Sequence, residues 1–259
     1  MMDGAHLGPR FFRRLAAPAP GWTAHADVVV VGSGIAGLTT ALRLRRRVDR
    51  VMLVTKTVLN SGSTRWAQGG IAAALGADDS PEEHLRDTLV AGAGLCDENA
   101  VRMLVTEGPR RVRELVELGA RFDLNAEGEL ALTREGGHHR DRIAHARGDA
   151  TGAEISRALI AALWAVLDDP GIEVIENALV IDILTGRDPR PGGPSAGAAA
   201  GAPARRACGV TLHVIGEGSR DGVGQVLGGA VVLATGVIGQ VFTSTTNPKV
   251  ATGDGVAAA

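Results

Sequence analysis

The chain has 259 residues, of which 45% are hydrophobic, and it carries a formal net charge of −2 at pH 7. A chain of this length and composition can bury a substantial core, as one large domain or two small ones. The nearly balanced charge excludes a general electrostatic attraction to nucleic acid or to an anionic membrane surface.

The first 24 residues predict a flexible N-terminal extension. Arg13 and Arg14 are basic, but the segment after them is short and contains two prolines, so it lacks the apolar core of a signal peptide. No stretch reaches the roughly 18 apolar residues that cross a bilayer. Cys96 and Cys208 stand far apart without metal-binding spacing, which indicates a reducing compartment. We therefore expect a cytoplasmic protein with no metal site.

A dinucleotide-binding unit is predicted over residues 27–56. Residues 28–31 form a β-branched run typical of a strand buried on both faces, and residues 51–54 repeat it after an amphipathic helix. Three glycines of a GxGxxG motif allow a tight turn, close approach of the backbone to a pyrophosphate, and tight helix packing. The helix N-terminus then attracts phosphate. The motif residues are Gly32, Ser33, Gly34, Ile35, Ala36 and Gly37.

The acidic residue that would hold the ribose of NAD is missing after the second strand, where Thr55 and Lys56 stand. Taken alone, the lysine favours the 2′-phosphate of NADP. Residues 57–75 follow, and their small and hydroxyl side chains suit neither helix nor strand. We interpret this segment as a ligand-wrapping loop, because Trp66 and the apolar Ile71 are not explained by an ordinary surface loop.

A motif inside this loop carries a family resemblance. It consists of Ser63, Thr64, Arg65, Trp66, Ala67, Gln68, Gly69, Gly70 and Ile71. It resembles the flavin-contacting segment of the fumarate reductase and succinate dehydrogenase flavoprotein superfamily, most closely that of the L-aspartate oxidase family. In that superfamily the second strand ends in Ser or Thr followed by Lys, so the resemblance assigns Lys56 to FAD and sets NADP aside. Members that attach FAD covalently have histidine where Ser63 stands, which implies non-covalent flavin.

Helical scaffold without assigned chemistry is predicted around this loop. Ser80 begins one helix with a capping-box signature, and Asp97 caps a second helix that Pro109 should interrupt. A further helix is expected from Pro109 to residue 118. Thr151 and Glu154 predict a capping box for a long helix through residue 167.

Residues 132–140 bring a carboxylate, two histidines and two arginines onto a glycine-bracketed turn. A solvated loop would explain them alone, and a metal site is disfavoured because adjacent histidines cannot easily face one ion. The segment resembles the Thr-Arg-Glu-Gly-Gly-His segment that lies beside the flavin in aspartate oxidases. Fumarate reductases and succinate dehydrogenases usually have an uncharged residue where Glu135 stands. The resemblance therefore implies that Glu135 pairs with the ammonium of an amino-acid substrate.

The C-terminal part of the chain continues the resemblance to Ala259. It implies that backbone near Val180 meets the adenine and that Asp254 contacts FAD. Val237 stands where the family usually has glycine, so the backbone near the cofactor is in question.

Three further segments complete the prediction for this part of the chain. Residues 224–227 and 229–236 predict two strands, the second of them buried and ending in an Ala-Thr-Gly turn typical of FAD proteins. Residues 186–206 are rich in Pro, Gly and Ala and predict a disordered insert.

The sequence thus predicts an α/β, Rossmann-like FAD-binding fold over residues 25–259, with a central parallel sheet and a small antiparallel element. The resemblance implies FAD-dependent oxidation of L-aspartate to iminoaspartate, with oxygen or fumarate as acceptor, in de novo NAD biosynthesis. It also implies hand-off of iminoaspartate to quinolinate synthase. Because it covers the first half of such proteins, we expect a truncated chain that is inactive alone. A succinate dehydrogenase or fumarate reductase flavoprotein and a non-catalytic dinucleotide-binding module remain alternatives.

Overall fold

The computed structural model describes residues 18–187, 205–218 and 221–259. The strands are β1 (Trp22–Val31), β2 (Val51–Val54), β3 (Ile71–Ala72), β4 (Leu132–Thr133), β5 (Ile143–Ala144), β6 (Ile172–Ile175), β7 (Ala178–Arg187), β8 (Arg205–Val214) and β9 (Val223–Leu233). The helices are α1 (Ile35–Leu44), α2 (Pro81–Ala91), α3 (Glu98–Glu117), α4 (Thr151–Trp164) and α5 (Asp254–Ala258). None of the described helices is both long and apolar enough to cross a membrane.

A six-stranded sheet in the order β6-β2-β1-β9-β8-β7 forms the centre of the fold. Its first four strands run parallel, whereas β8 and β7 pair antiparallel beside β9. A small antiparallel sheet, β3-β5-β4, stands apart from it. The predicted fold class, a central parallel sheet with a small antiparallel element, is therefore confirmed.

The end of β1 is buried on both faces of the large sheet. Val28 and Val30 pack in one apolar cluster with α1, α3 and α4, and Val29 and Val31 pack in a second cluster on the opposite face. Successive side chains of a strand point to opposite faces, so a continuous β-branched run is suited to this position.

β1 begins at Trp22, so residues 22–24, which we expected in the N-terminal extension, belong to the sheet. Residues 22–26 pair with β9, and the Trp22 indole Nε1–H donates to the carbonyl of Asp221 at 3.0 Å. Exposed and half-buried residues alternate over this part of the strand, so it lacks the apolar run that marks residues 28–31. The expected extension before residue 18 lies outside the described residues.

The prediction of a disordered insert over residues 186–206 is wrong at its two ends, which belong to β7 and β8. Residues 186 and 187 pair with residues 206 and 205 as the last pairs between β7 and β8. Residues 188–204 lie outside the described part of the chain.

The prediction of two strands over residues 224–227 and 229–236 is wrong, because one strand, β9, spans residues 223–233. Its pairing with β8 ends at Leu227, whereas its pairing with β1 continues to Leu233. Gly229 and Ala230 are consequently exposed rather than buried. An apolar run in the sequence does not show whether a strand is paired with other strands on both sides along its whole length.

Pro109 lies inside the continuous helix α3, so the predicted break into two helices is wrong. Proline removes one helical hydrogen bond and crowds the preceding turn. Here Val105 before it and Val112 after it are each only 1% exposed. Burial on both sides of the proline offsets the lost hydrogen bond and keeps the helix continuous.

The predicted helix caps have different outcomes. The Ser80 side chain accepts from the Glu83 N–H at 3.2 Å, and Asp97 accepts from the Ala100 N–H at 3.0 Å, so both caps are present. The capping box at α4 is wrong. Thr151 Oγ1 accepts from the Ala146 N–H at 3.2 Å, and the Glu154 carboxylate binds groups elsewhere. α4 ends at Trp164, three residues earlier than predicted.

Candidate functional site

A cleft of about 310 Å³ opens where β1, β2 and β9 end. Val31, Val54 and Leu233, the last residues of these strands, line it together with the start of α1. Parallel strands bring their carboxyl ends to one edge of the sheet, and α/β folds bind ligands at that edge.

Many of the predicted cofactor-binding residues meet in this cleft. Those that line it are Gly32, Ser33, Gly34, Ile35, Ala36, Lys56, Ser63, Thr64, Val180 and Asp254. Those that do not line it are Gly37, Arg65, Trp66, Ala67, Gln68, Gly69 and Gly70. The first group comes from segments far apart in sequence, so the fold assembles the cleft.

The glycines of the motif differ in what their backbones require. Gly32 has a φ of 109°, which favours glycine, and a Cβ at Gly37 would overlap the Gly32 carbonyl oxygen. Gly37 therefore allows α1 to pack closely on the turn. A Cβ at Gly34 would meet only Thr64 Oγ1, at 3.4 Å, within 4 Å. The backbone at Gly34 is thus accessible to a ligand that lies in the cleft.

The loop after β2 folds over the start of α1 through two short 3₁₀ turns, Leu59–Ser61 and Ser63–Trp66. Thr64 Oγ1 accepts from the Ile35 N–H at 3.0 Å, and α1 has no side-chain cap from Gly34 and no acidic residue in its first turn. The next N–H groups of a first helical turn have no partner within the helix. They are free to bind an anion at the positive end of the helix dipole.

The Ser33 hydroxyl fastens this loop to the sheet. It lies 2.8 Å from Thr55 Oγ1 and donates to the Leu59 carbonyl at 3.0 Å. Glu176 accepts from the Leu59 N–H at 2.6 Å. Ser33 is buried, so it supports the cleft wall through these bonds.

Lys56 and Asp254, which we predicted as separate cofactor contacts, form an ion pair with each other. The lysine Nζ also donates to the Val250 carbonyl at 2.8 Å and to Thr252 Oγ1 at 2.5 Å. It thereby attaches the start of α5 to the end of β2. Val237 lines the cleft without a positive φ, so the valine there causes no backbone strain.

Several cleft residues were not singled out as binding residues in the sequence. They include Thr57, Ala178, Thr235, Gly236, Ala251, Gly255 and Ala258. The Ala-Thr-Gly turn marks Thr235 and Gly236 as part of a recognisable pattern. Ala251 and Ala258 belong to no such pattern, since small apolar residues also occur at many positions of a fold that line no cleft.

The other part of the predicted motif leads away from the cleft towards the small sheet. Trp66 is 61% exposed, and the Arg65 guanidinium lies 5.1 Å from its ring centroid. The carbonyl of Ala67 accepts from the Gly152 N–H at 2.9 Å, at the start of α4. Gly69 and Gly70 then lead into β3, which pairs with β5.

Glu135 lies on the turn between β4 and β5, and its side chain is 53% exposed. Its carboxylate is 3.8 Å from His145 Nε2. Within the described part of the chain, no arginine or lysine lies within 4.0 Å of this carboxylate. Glu135 is thus available to a cation from outside the chain.

The other charges of this turn are bound by the protein itself. Arg142 is fully buried and donates to both carboxylate oxygens of Asp79, at 2.8 and 2.9 Å, and it forms an ion pair with Asp87 at 3.0 Å. His139 lies with its ring nitrogen 2.6 Å from Asp87 and donates its backbone N–H to the same carboxylate at 2.9 Å. These bonds attach the turn to α2.

The pKa values of Asp87 and His84, which lie where the turn is attached to α2, are shifted. Burial alone would raise the pKa of Asp87, but the hydrogen bonds from His139 and the charge of Arg142 lower it below its usual value. Burial, followed by the charge of Arg142, lowers the pKa of His84, whose ring meets His138 edge-on at 5.4 Å. The sequence indicates that so many ionisable groups on one turn need binding partners, but it does not show that α2 supplies them.

Comparison with known families matches residues 27–259 to the model of the FAD binding domain. The L-aspartate oxidase of Streptomyces coelicolor is 63% identical over 246 residues, which cover 95% of this chain and 39% of that protein. The chloroplastic L-aspartate oxidase of Arabidopsis thaliana is 44% identical over 239 residues, 92% of this chain and 33% of that protein. The chain thus spans about 39% of the length of the first relative. These relatives confirm the resemblance inferred from residues 63–71.

Solved structures agree with the fold. A chain of the Mycobacterium smegmatis Sdh1 complex in the apo form matches with a TM-score of 0.79 at 30% identity, over 92% of this chain and 38% of that chain. A chain of an Escherichia coli quinol fumarate reductase matches with a TM-score of 0.75 at 29% identity, over 90% of this chain and 36% of that chain.

Proposed function

The chain belongs to the family of FAD-binding domains, and we propose that it forms the flavin-binding part of an L-aspartate oxidase. FAD, the cofactor expected from the sequence, is confirmed by this membership. The observation that carries the substrate proposal is Glu135, an exposed carboxylate on a turn whose other charges are paired within the protein.

The residues of the cleft fit FAD. A pyrophosphate needs a backbone that it can approach and N–H groups at a helix start, and the turn at Gly34 with the first turn of α1 offers both. We assign the dinucleotide to the ten predicted residues that line the cleft, with adenine beside Val180. Gly69 and Gly70 continue from the cleft towards Glu135, which suits the flavin end. Ser63 offers a hydroxyl and no imidazole, so the flavin is bound without a covalent link.

The proposed reaction is the oxidation of L-aspartate to iminoaspartate, with oxygen or fumarate as the electron acceptor. Bound flavin supplies the redox chemistry, and the protein supplies placement and charge. Glu135 receives the substrate ammonium in a charge-assisted hydrogen bond. Succinate and fumarate lack this ammonium, so Glu135 favours an amino acid over a plain dicarboxylate. The product would enter NAD biosynthesis through quinolinate synthase.

The likeness to the Sdh1 and fumarate reductase chains makes a dicarboxylate flavoprotein the second candidate. The experiment uses a full-length protein in which residues 27–259 of this chain replace the matching region of the Streptomyces coelicolor relative. We expect a flavin absorption spectrum, bleaching by anaerobic L-aspartate, and none by succinate. Bleaching by succinate alone would establish the second candidate. A colourless protein that binds NADP would instead indicate the non-catalytic module. The unmodified relative is the control.

A further inference from the structure

His145 lies immediately after β5, between the turn that carries Glu135 and the loop that enters β3. Its Nε2 is 2.8 Å from Thr133 Oγ1 and 3.8 Å from the nearer Glu135 carboxylate oxygen. Its Nδ1 is buried and has no hydrogen-bond partner among residues 18–187, 205–218 and 221–259. His145 has no role in the function proposed above.

The partners of the ring assign its proton to Nε2. A carboxylate accepts hydrogen bonds and cannot donate them, so an N–H at Nε2 suits Glu135. Thr133 Oγ1 can accept from the same N–H and donate its own proton to the Ile143 carbonyl, 3.5 Å away. The alternative tautomer would bury an unpaired N–H at Nδ1, which costs free energy. The ring in this tautomer donates its N–H to Thr133, and the nearer Glu135 carboxylate oxygen lies 3.8 Å from Nε2.

The surroundings hold the ring in this place. The His145 carbonyl accepts from the Asp123 N–H at 2.8 Å, and the Asp123 carboxylate accepts from the Arg147 N–H at 2.8 Å. A Cβ at Gly70 would lie 2.8 Å from His145 Cε1, so the ring packs directly on the glycine backbone. The same imidazole thus contacts the loop that we assign to the flavin and faces the residue that we assign to the substrate.

We propose that His145 is a positioning residue for Glu135: with Thr133 it directs the Glu135 carboxylate so that an ammonium can bind beside Gly70. The role of the ammonium rests on the function proposed above, whereas the contact between His145, Thr133 and Glu135 does not. A positioning residue acts through its partner. Its removal should therefore affect an amino-acid substrate and leave a substrate without an ammonium unaffected.

The kinetic test is a double-mutant cycle in the full-length protein described above. His145→Leu should raise KM for L-aspartate about five-fold with little change in kcat, because the Glu135 carboxylate loses the polar contact that directs it. It should leave fumarate reduction unchanged. His145→Gln keeps an N–H donor and should restore much of the loss. In a Glu135→Gln background, His145→Leu should add less than two-fold, because residues that act through one group are not additive.

His213→Leu is the matched control, since His213 is half-buried on β8 and its ring binds only the Gly218 carbonyl among the described residues. It should change neither reaction. Equal losses with L-aspartate and fumarate after His145→Leu, or full additivity with Glu135→Gln, would overturn the proposal. Thermal unfolding of each variant identifies any that fails to fold, and His145→Gln then decides the test.

A second readout uses the 259-residue chain and needs no activity. Long-range ¹H–¹⁵N NMR spectra at pH 8 identify which ring nitrogen of His145 carries the proton. We expect the proton on Nε2, with a change in the Nε2 resonance in Glu135→Gln and in Thr133→Val. A proton on Nδ1, or an unchanged resonance in both variants, would contradict the proposed contact. If the contact is present but L-aspartate is not oxidised, the proposed function fails and the positioning of Glu135 stands.

Discussion

The Thr64 hydroxyl accepts a hydrogen bond from the Ile35 N–H, so a side chain from the loop after β2 caps α1. The residue before this helix, Gly34, provides no side-chain cap of its own. The loop and the helix start therefore depend on each other for their positions at the cleft. Both line the cleft. A ligand that binds there should therefore stabilise this contact, and loss of the contact should weaken the binding of the ligand.

Thr64→Val should destabilise the chain by about 1 kcal/mol, because valine keeps the shape and removes the acceptor of the Ile35 N–H. Thr64→Ser keeps the hydroxyl and serves as the control. Urea unfolding with and without FAD measures both effects, and FAD should stabilise the valine variant less than the parent. Equal midpoints for the two variants would show that the cap contributes nothing.

Lys56→Met should weaken FAD binding about five-fold, because the lysine holds Val250, Thr252 and Asp254 at the cleft. Fluorescence titration of FAD gives the Kd. The matched control is Lys249→Met, which removes an exposed lysine next to the segment that contains Val250, Thr252 and Asp254. If both substitutions weaken binding equally, general charge rather than this network attracts FAD.

Glu135→Gln should lower kcat/KM for L-aspartate by about ten- to a hundred-fold in a full-length protein that contains this chain. The reason is the loss of a charge-assisted hydrogen bond to the ammonium, worth about 1.5–3 kcal/mol. Fumarate reduction should change little, because fumarate has no ammonium. Glu129→Gln, at an exposed position in the loop before β4, is the control. Similar losses with both substrates would disprove the assignment.

Acid should destabilise the chain in two stages. The pKa of His84 in the folded chain is lowered by burial and then by Arg142, so below about pH 6.5 the unfolded state binds the proton first and stability falls. The pKa of Asp87 is lowered by the His139 hydrogen bonds, which outweigh burial. The contribution of the ionised Asp87 to the free energy of unfolding is present above about pH 4, and it is lost as pH falls through the pKa of Asp87 in the folded chain.

Urea unfolding between pH 8 and pH 3 measures this dependence. His84→Gln should reduce the loss of stability between pH 7 and 5, and Asp87→Asn should reduce the loss below pH 4. His213→Gln, at a half-buried position on β8, is the histidine control for this comparison. An unfolding midpoint that stays constant down to pH 4 in the parent would refute the role of His84.

Flavin bound to this chain should be released on denaturation. Ser63 lines the cleft at the position where the family resemblance implies histidine in members that attach FAD covalently, and a serine hydroxyl does not form such a carbon–nitrogen link. Acid precipitation of flavin-loaded protein should leave the yellow colour in the supernatant. Fluorescent flavin that stays in the washed pellet would overturn this expectation. Added FAD should also raise the Tm with its free concentration.

Local patterns in the sequence determined the β1–α1–β2 unit and the caps of α2 and α3. A β-branched run buried on both faces and glycines at fixed spacing act over a few residues, so their consequences can be predicted without knowing the neighbours. The relation of Glu135 to an ammonium came from the family resemblance and remains a prediction.

Only the tertiary structure decided which groups meet across the chain. Lys56 pairs with Asp254, which is 198 positions away in the sequence. Arg142 forms ion pairs with Asp79 and Asp87. Glu154 pairs with Arg157 and does not close the predicted capping box. Likewise, packing on both sides of Pro109 overrides its tendency to break a helix. The partner of a charge and the burial of a face depend on which elements pack together, and no local pattern contains that information.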